Sequence, residues 1–308
     1  MDVLGKVVGK LNLVDCLVLR KVCYDLRSLI DSSELYCENI YINFDDRCTR
    51  ILLDSDLMDY EQADDGGCHV TSNFFWDEKI NFWDERRYKD VRNAQQVMLA
   101  NVSTFLSNPK LKIGKMDFHG SIQFEEDHLP GFLEFLKSLN FQLNVRSTTH
   151  RKKGLSIIQF LKPGRLEGIK LFANTLSHDE FNEIAETEQW KMAKNLEWNL
   201  FPNEFGIERL RHFEKIKIGQ FDFSEENLTM LRDILLESPR LQSCCLEKET
   251  NPNDHRYDAN ERVVRVLNLP LPLNPEALQF QYNDSFHLKM REYLRELYLL
   301  TFDRISEN

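Results

Sequence analysis

The run 213–246, FEKIKIGQFDFSEENLTMLRDILLESPRLQSCCL, holds one complete structural unit. Phe213-Glu214-Lys215-Ile216-Lys217-Ile218 alternates apolar and polar side chains, the period of a strand with one covered face. Ser224 is placed to cap the helix that follows, with Glu225 and Glu226 in its first turn, where the helix dipole favours acids. Leu228, Leu231, Ile234 and Leu235 then recur at the spacing of one helical face, and Ser238-Pro239 closes the element. Leu241-Gln242-Ser243-Cys244-Cys245-Leu246 reads as a second strand, with one thiol inward and one outward. Strand, helix and strand in that order favour parallel pairing through a right-handed crossover.

The same unit recurs upstream. Val91, Ala94, Met98, Val102 and Phe105 make a helical stripe that ends at Asn108-Pro109. Ile113–Phe118 is a strand, Phe132, Leu133, Leu136 and Leu139 mark a helix, and Phe141–Val145 is the next strand. A helix follows over Leu155 to Leu161, ended by Pro163-Gly164. Leu166–Leu171 is a strand, and Ser177 with Glu180 forms a capping box for a helix bearing Phe181, Ile184 and Ala185. Leu196–Leu200 precedes the unit already described. Strand starts at 113, 141, 166, 196, 213 and 241 lie 28, 25, 30, 17 and 28 residues apart. Most of these steps fit a solenoid of ~20–29-residue repeats. The short step leaves no room between Phe205 and Leu210 for a full crossover helix. The expected class is α/β, a leucine-rich-repeat-like solenoid whose curved sheet offers one long surface to a protein partner. No L-x-x-L-x-L-x-x-N signature is present, so this likeness is architectural.

The ends differ from this pattern. Eighteen of the first 31 residues are apolar, against 42% for the chain. Val3, Leu4, Val7, Val8 and Leu11 form one stripe. Asn12 can cap a second helix with Val14, Leu17, Val18 and Val22 on one face, and a third carries Leu26, Leu29 and Ile30. Three helices this short cannot hide so much surface among themselves. They dock on the remainder of the chain or on another protein, as a helix in a groove. Asn39–Asp45 reads as a strand and Asp64-Asp65-Gly66-Gly67 as a turn. Phe75-Trp76-Asp77-Glu78 recurs as Phe82-Trp83-Asp84-Glu85, a short duplication or two edges of a hairpin. Phe286, Met290, Tyr293, Leu294 and Leu297 suggest an amphipathic final helix capping the open end of the solenoid.

With 308 residues, 42% hydrophobic and 29% charged, the chain has the size of about two globular domains. Its 50 acids against 39 bases give a net charge of −11, which argues against a duplex nucleic-acid reader. No apolar stretch reaches the ~18 residues of a membrane helix. No secretory leader is evident at the start, and seven cysteines, an odd number, suit reduced thiols in a cytoplasmic or nuclear protein. Catalytic and cofactor chemistry finds little footing. Cys68-His69 reads as a loop thiol beside a turn, because catalytic pairs meet in space rather than in sequence. His119 and His128 are nine apart, and the thiols lack C-x₂₋₄-C spacing, so zinc is not expected. No Gly-rich phosphate cradle occurs. His150-Arg151-Lys152-Lys153 is read as a solvated loop, with an anion contact or nuclear signal as the alternative. Trp190 is read as core, with a binding anchor as the alternative.

Two stretches carry family resemblances. Residues 7–30, VVGKLNLVDCLVLRKVCYDLRSLI, resemble an F-box, with the L-x-L-R-x-V-C signature intact at Leu17–Cys23. The Leu-Pro lead-in of that motif has no counterpart here, and Leu26 stands where Trp is common. Phe132–Asn140, Ile158–Ile169 with its L-K-P-G-x-L-E-x-I block, Glu186–Leu196 with its E-Q-W-K-x-A-K-x-L block, and Leu228–Leu236 resemble the FTH domain of nematode F-box proteins, in family order. The implied organisation is an F-box-like helical segment over 1–31, linking strands and a hairpin over 32–89, an FTH strand–helix repeat domain over 90–250, and a C-terminal strand and capping helix over 251–308. The implied role is the substrate receptor of an SCF-type ubiquitin ligase, without enzymatic activity, cofactor or metal. The Skp adaptor would dock on Val3, Leu4, Val7, Leu11, Leu13, Leu17, Val18, Val22 and Leu26, and the FTH domain would hold a protein substrate. The rival reading is a protein-binding module whose degenerate F-box no longer engages the ligase.

Overall fold

The structure is a computed structural model. It describes residues 3–44, 48–63, 67–75, 81–88, 94–120, 122–172, 176–199, 201, 207–249, 263, 265–268, 278–283, 286–293 and 297–305. The chain divides into two compact units, Met1–Leu166 and Glu167–Asn308.

The first unit opens with three short helices, α1 (Val3–Val8), α2 (Leu13–Leu19) and α3 (Tyr24–Ser32). Strands β1 (Tyr36–Phe44), β2 (Cys48–Leu53), β3 (Asp56–Gln62), β4 (Cys68–Phe75) and β5 (Asn81–Tyr88) follow. Helix α4 (Ala94–Leu106), strand β6 (Lys112–Gly120), helix α5 (Ile122–Ser138), strand β7 (Asn144–His150) and a 3-10 helix over Lys152–Phe160 complete it. The strand order is β7-β6-β1-β2-β3-β4-β5. Strands β1, β6 and β7 run parallel, and β1 through β5 form an antiparallel meander. Ile40, Ile42 and Phe44 of β1 and Met116 and Phe118 of β6 are buried, and so are Met98, Val102 and Phe105 of α4 and Phe132 and Leu136 of α5. The Phe132 ring meets Phe118 at 5.5 Å and Phe44 at 6.4 Å. Gly114 is required by closeness: a Cβ there would lie 2.6 Å from the Glu38 carbonyl oxygen. His150 ends β7 fully buried, its ring stacked on Phe118. Thr148 Oγ1 donates to the Met116 carbonyl at 2.8 Å, so it accepts from His150 Nε2 at 2.8 Å. Burial, with His119 nearby, holds the imidazole neutral down to a pKa of about 3.

The second unit contains β8 (Gly168–Leu171), α6 (His178–Ala185), α7 (Glu188–Met192), β9 (Asn195–Trp198), a 3-10 turn over Ile207–Leu210, β10 (Lys215–Ile218), α8 (Glu225–Glu237) and β11 (Ser243–Glu249). Strands β12 (Leu278–Asn283), β13 (Phe286–Tyr293) and β14 (Leu297–Arg304) end it. The order is β12-β13-β14-β11-β10-β9-β8. The run β8 to β11 is parallel and β12 to β14 antiparallel, with β14 pairing β11. Register explains the core. Ile169, Leu196, Ile216, Cys244 and Phe302 form one row across five strands, and Leu171, Trp198, Ile218, Leu246 and Leu300 form the next. All ten are buried. Between these rows, on the opposite face, Lys170 pairs with Glu197 at 2.9 Å and Lys217 with Glu247 at 3.2 Å. Trp190 of α7 is buried edge-to-face between Phe181 and Phe213, at 5.7 and 5.2 Å. The Ser177–Glu180 capping box closes in both directions. Ser224 accepts from Asn227 N at 3.3 Å, capping α8.

The structure corrects several expectations. The final helix is instead the β13–β14 hairpin. Phe286, Leu288 and Met290 also alternate at period two, and pairing with β11 sets Leu300 and Phe302 into the core. Each sheet is mixed, because antiparallel hairpins flank its parallel strands; an uninterrupted leucine-rich-repeat course is absent among the described residues. Strand β7 begins three residues later than expected, with Leu143 making a lone bridge to Leu161. The helix expected over Leu155–Leu161 is 3-10. Cys68 is no loop thiol: it is buried in β4, and burial pushes its thiol pKa to about 11. His150 belongs to the core rather than to a solvated loop. Of the Phe-Trp-Asp-Glu repeat, Phe75 ends β4 and Phe82–Glu85 lie on β5, and these two strands pair as antiparallel neighbours; Trp76–Glu78 lie outside the described residues. So do Asp64–Gly66 of the expected turn.

Replacing Trp190 with Ala should lower unfolding stability by about 3–5 kcal/mol. Met192→Ser, at an exposed position of the same helix, should change it by less than about 0.5 kcal/mol. Urea denaturation of both variants measures the difference.

Candidate functional site

The three N-terminal helices are too short to stand alone, and local chemistry pins each one. Asn12 Oδ1 accepts from Asp15 N at 2.7 Å and caps α2. Cys16 Sγ donates to the Val8 carbonyl at 3.9 Å, tying α2 to the end of α1. Arg20, at the end of α2, grips Asp31 of α3 with two bonds of 2.6 and 3.2 Å. Arg27 Nε donates to the Arg20 carbonyl at 3.3 Å. Such an exposed ion pair stabilises by about 0.2–1 kcal/mol, so it orients the helices more than it holds them. The body reaches the segment through Lys110 Nζ, which donates to the Ser32 carbonyl at 2.5 Å.

Apolar burial divides the segment in two. Val8, Leu13, Val14, Cys16 and Ile30 are buried. Leu4 (53% exposed), Val7 (48%), Val18 (55%), Val22 (66%) and Tyr24 (80%) face outward. Among the residues whose side chains are described, eight large apolar ones are strongly exposed, and these are five of them; the others are Tyr36, Met192 and Leu236. Scattered exposed apolar residues are ordinary, whereas five within 24 residues of chain mark an interaction surface.

Of the nine residues assigned to adaptor docking from the sequence, Leu4, Val7, Val18 and Val22 are exposed, and Leu11, Leu17 and Leu26 are half-buried. Leu13 is corrected: at 2% exposure it is a core residue. The i, i+3/i+4 spacing could not tell which of two adjacent helix faces turns inward. Val3 begins α1, and its side chain lies outside the described residues. Tyr24, the most exposed of the group, was missed, although its place between two apolar helices was a usable signal.

One acidic cluster lies where the segment meets the sheet. Asp56, at the start of β3, is 5% exposed, and its carboxyl is pushed up to about 6, first by burial and then by Asp15 of α2 and by Asp54. Asp54 sits in the β2–β3 turn at φ 55°, its carboxylate accepting from Asn39 N at 2.8 Å. Among the described residues, no group of three or more His, Cys, Asp and Glu side chains is arranged to hold a metal ion. No described helix is long and apolar enough to cross a membrane.

Comparison with known families fits these two regions. The F-box domain family matches residues 1–38, and the FTH domain family matches residues 126–269. An F-box domain and an FTH domain are thus both found in this chain. The F-box match takes in all three N-terminal helices and the start of β1. The FTH match runs from within α5 to beyond β11 and includes the Trp190 cluster. The chain is also similar to F-box A protein 224 of Caenorhabditis elegans, at 23% identity over 244 residues, 76% of this chain. That match covers 62% of the relative's own length.

Because the folded-state pKa of Asp56 is raised, its neutral form stabilises the fold at low pH, and that contribution is lost as pH rises from about 4 through about 6. Asp56→Asn should therefore unfold at higher urea than the unsubstituted chain at pH 7.5, with the gain vanishing near pH 4.

Proposed function

We propose that this F-box protein is the substrate-receptor subunit of an SCF-type ubiquitin ligase. The N-terminal helices dock the Skp adaptor, and the FTH-containing part of the chain holds a protein substrate. The observation that carries this reading is the outward-facing group Leu4, Val7, Val18, Val22 and Tyr24 within the F-box match. A helix segment that covers one half of its apolar residues and leaves the other half outward is built for a second covering subunit. Each large side chain fully buried there contributes about 1.5–3 kcal/mol. The chain performs no chemistry of its own in this reading. It raises the local concentration of substrate beside a transferase bound elsewhere in the assembly.

The parallel rows of the second unit suit a rigid platform for that substrate, in the manner of repeat-like sheets. The paired charges Lys170–Glu197 and Lys217–Glu247 give its uncovered face a polar, self-neutralised surface.

The test is co-elution of the full chain with purified Skp adaptor. A stable complex at micromolar concentration is expected. The double variant Val18→Glu/Val22→Glu should keep its unfolding midpoint, since both positions are exposed, and should weaken the complex at least ~100-fold, roughly tenfold per desolvated apolar anchor lost. A folded chain that fails to bind the adaptor would instead support a protein-binding module with a degenerate F-box.

A further inference from the structure

The exposed apolar group is interspersed in sequence with bases. Residues 1–31 hold five bases, Lys6, Lys10, Arg20, Lys21 and Arg27, against four acids, for a net +1. The whole chain is −11, so residues 32–308 carry −12. The segment thus has a slight excess of bases within an acidic chain.

The pairing within the segment sharpens this contrast. Arg20 is paired with Asp31, and Asp15 is half-buried and near enough to the buried Asp56 to raise its carboxyl pKa. Lys6, Lys10, Lys21 and Arg27 are exposed, and none of them makes an ion pair among the described residues. Asp25, in the first turn of α3, is the one described acid of the segment left exposed and without an ion pair. These bases alternate in sequence with the outward apolar residues: Leu4, Lys6, Val7, Lys10 around α1, then Val18, Lys21, Val22, Tyr24 and, past Asp25, Arg27 from α2 into α3. Apolar residues flanked by unpaired charges of mainly one sign match the build of docking faces with a desolvated centre and a charged rim.

We infer that the docking surface selects a partner face that is apolar at its centre and acidic at its rim, and that Lys6, Lys10, Lys21 and Arg27 steer the encounter. This rests on the docking reading above and adds to it the chemistry of the partner's face and the origin of the association rate. Complementary rim charges act mainly on the association rate and are screened by salt, whereas the desolvated apolar centre sets the dissociation rate.

The experiment measures binding kinetics of the full chain on immobilised Skp adaptor at 50 and 500 mM salt. The association rate should fall at least ~10-fold across that range, while the dissociation rate changes less than ~3-fold. The variant Lys6→Glu/Lys10→Glu/Lys21→Glu should associate at least ~10-fold more slowly at 50 mM salt and lose most of the salt dependence. Val22→Glu should instead raise the dissociation rate and leave the salt dependence of association in place. Circular dichroism spectra and unfolding midpoints establish that each variant is folded. Tight binding whose association rate ignores both salt and the three lysines overturns the steering inference and leaves the docking reading standing. Failure of the folded, unsubstituted chain to bind at either salt overturns both.

Discussion

Everything in the first unit turns on how about thirty residues of apolar chain are covered. Three helices of six to nine residues cannot form a core of their own. They persist because Val8, Leu13, Val14, Cys16 and Ile30 are sunk into the structure. Anchoring one face leaves the next face outward. Leu4, Val7, Val18, Val22 and Tyr24 are exposed because the burial that fixes the helices exhausts the faces able to turn inward. The outward apolar surface is thus a consequence of the anchoring.

The second unit solves the covering problem differently. Its strands stand in a register that lines up two rows of buried side chains across five strands, with an ion-paired row between them on the far face. Helices α6, α7 and α8 are fixed at their starts by Ser177, Thr187 and Ser224. Trp190 and its edge-to-face neighbours fill the space beneath them. Among the side chains described in this unit, Met192 and Leu236 are the large apolar ones left strongly exposed. The described exposed apolar side chains concentrate instead near the start of the sequence.

Much of this was legible from residue order, for identifiable reasons. Capped helices announce themselves, and Ser177–Glu180 and Ser224 gave two helix starts to the residue. Strands with one buried face alternate, so β1, β6, β9 and β10 were readable. What escaped was decided by partners distant in sequence. The segment 286–297 fits a helical stripe and a strand alternation equally well, and the tie was broken by β11, some forty residues upstream. Strands β2 and β3 carry Arg50, Asp56 and Asp59 among their apolar residues, which blurs the alternation. Arg50 and Asp59 pair across the strands at 2.7 Å, a contact visible only once the register is known. At the docking surface, residue type gave the segment and its apolar excess. Spacing could not divide inward from outward faces, which is why Leu13 was misplaced and Tyr24 overlooked. The cationic rim was written in the sequence, but its meaning depends on knowing which acids are already paired.

The central claim is that the outward half of the N-terminal helices is a surface meant for a second protein. Hydrogen–deuterium exchange of the full chain, alone and mixed with the Skp adaptor, examines this most directly. The account predicts strong new protection confined to residues 3–30 and little change in the parallel strands of the second unit. Protection that skips these helices, or a mixture in which their exchange is the same as in the chain alone, would contradict it.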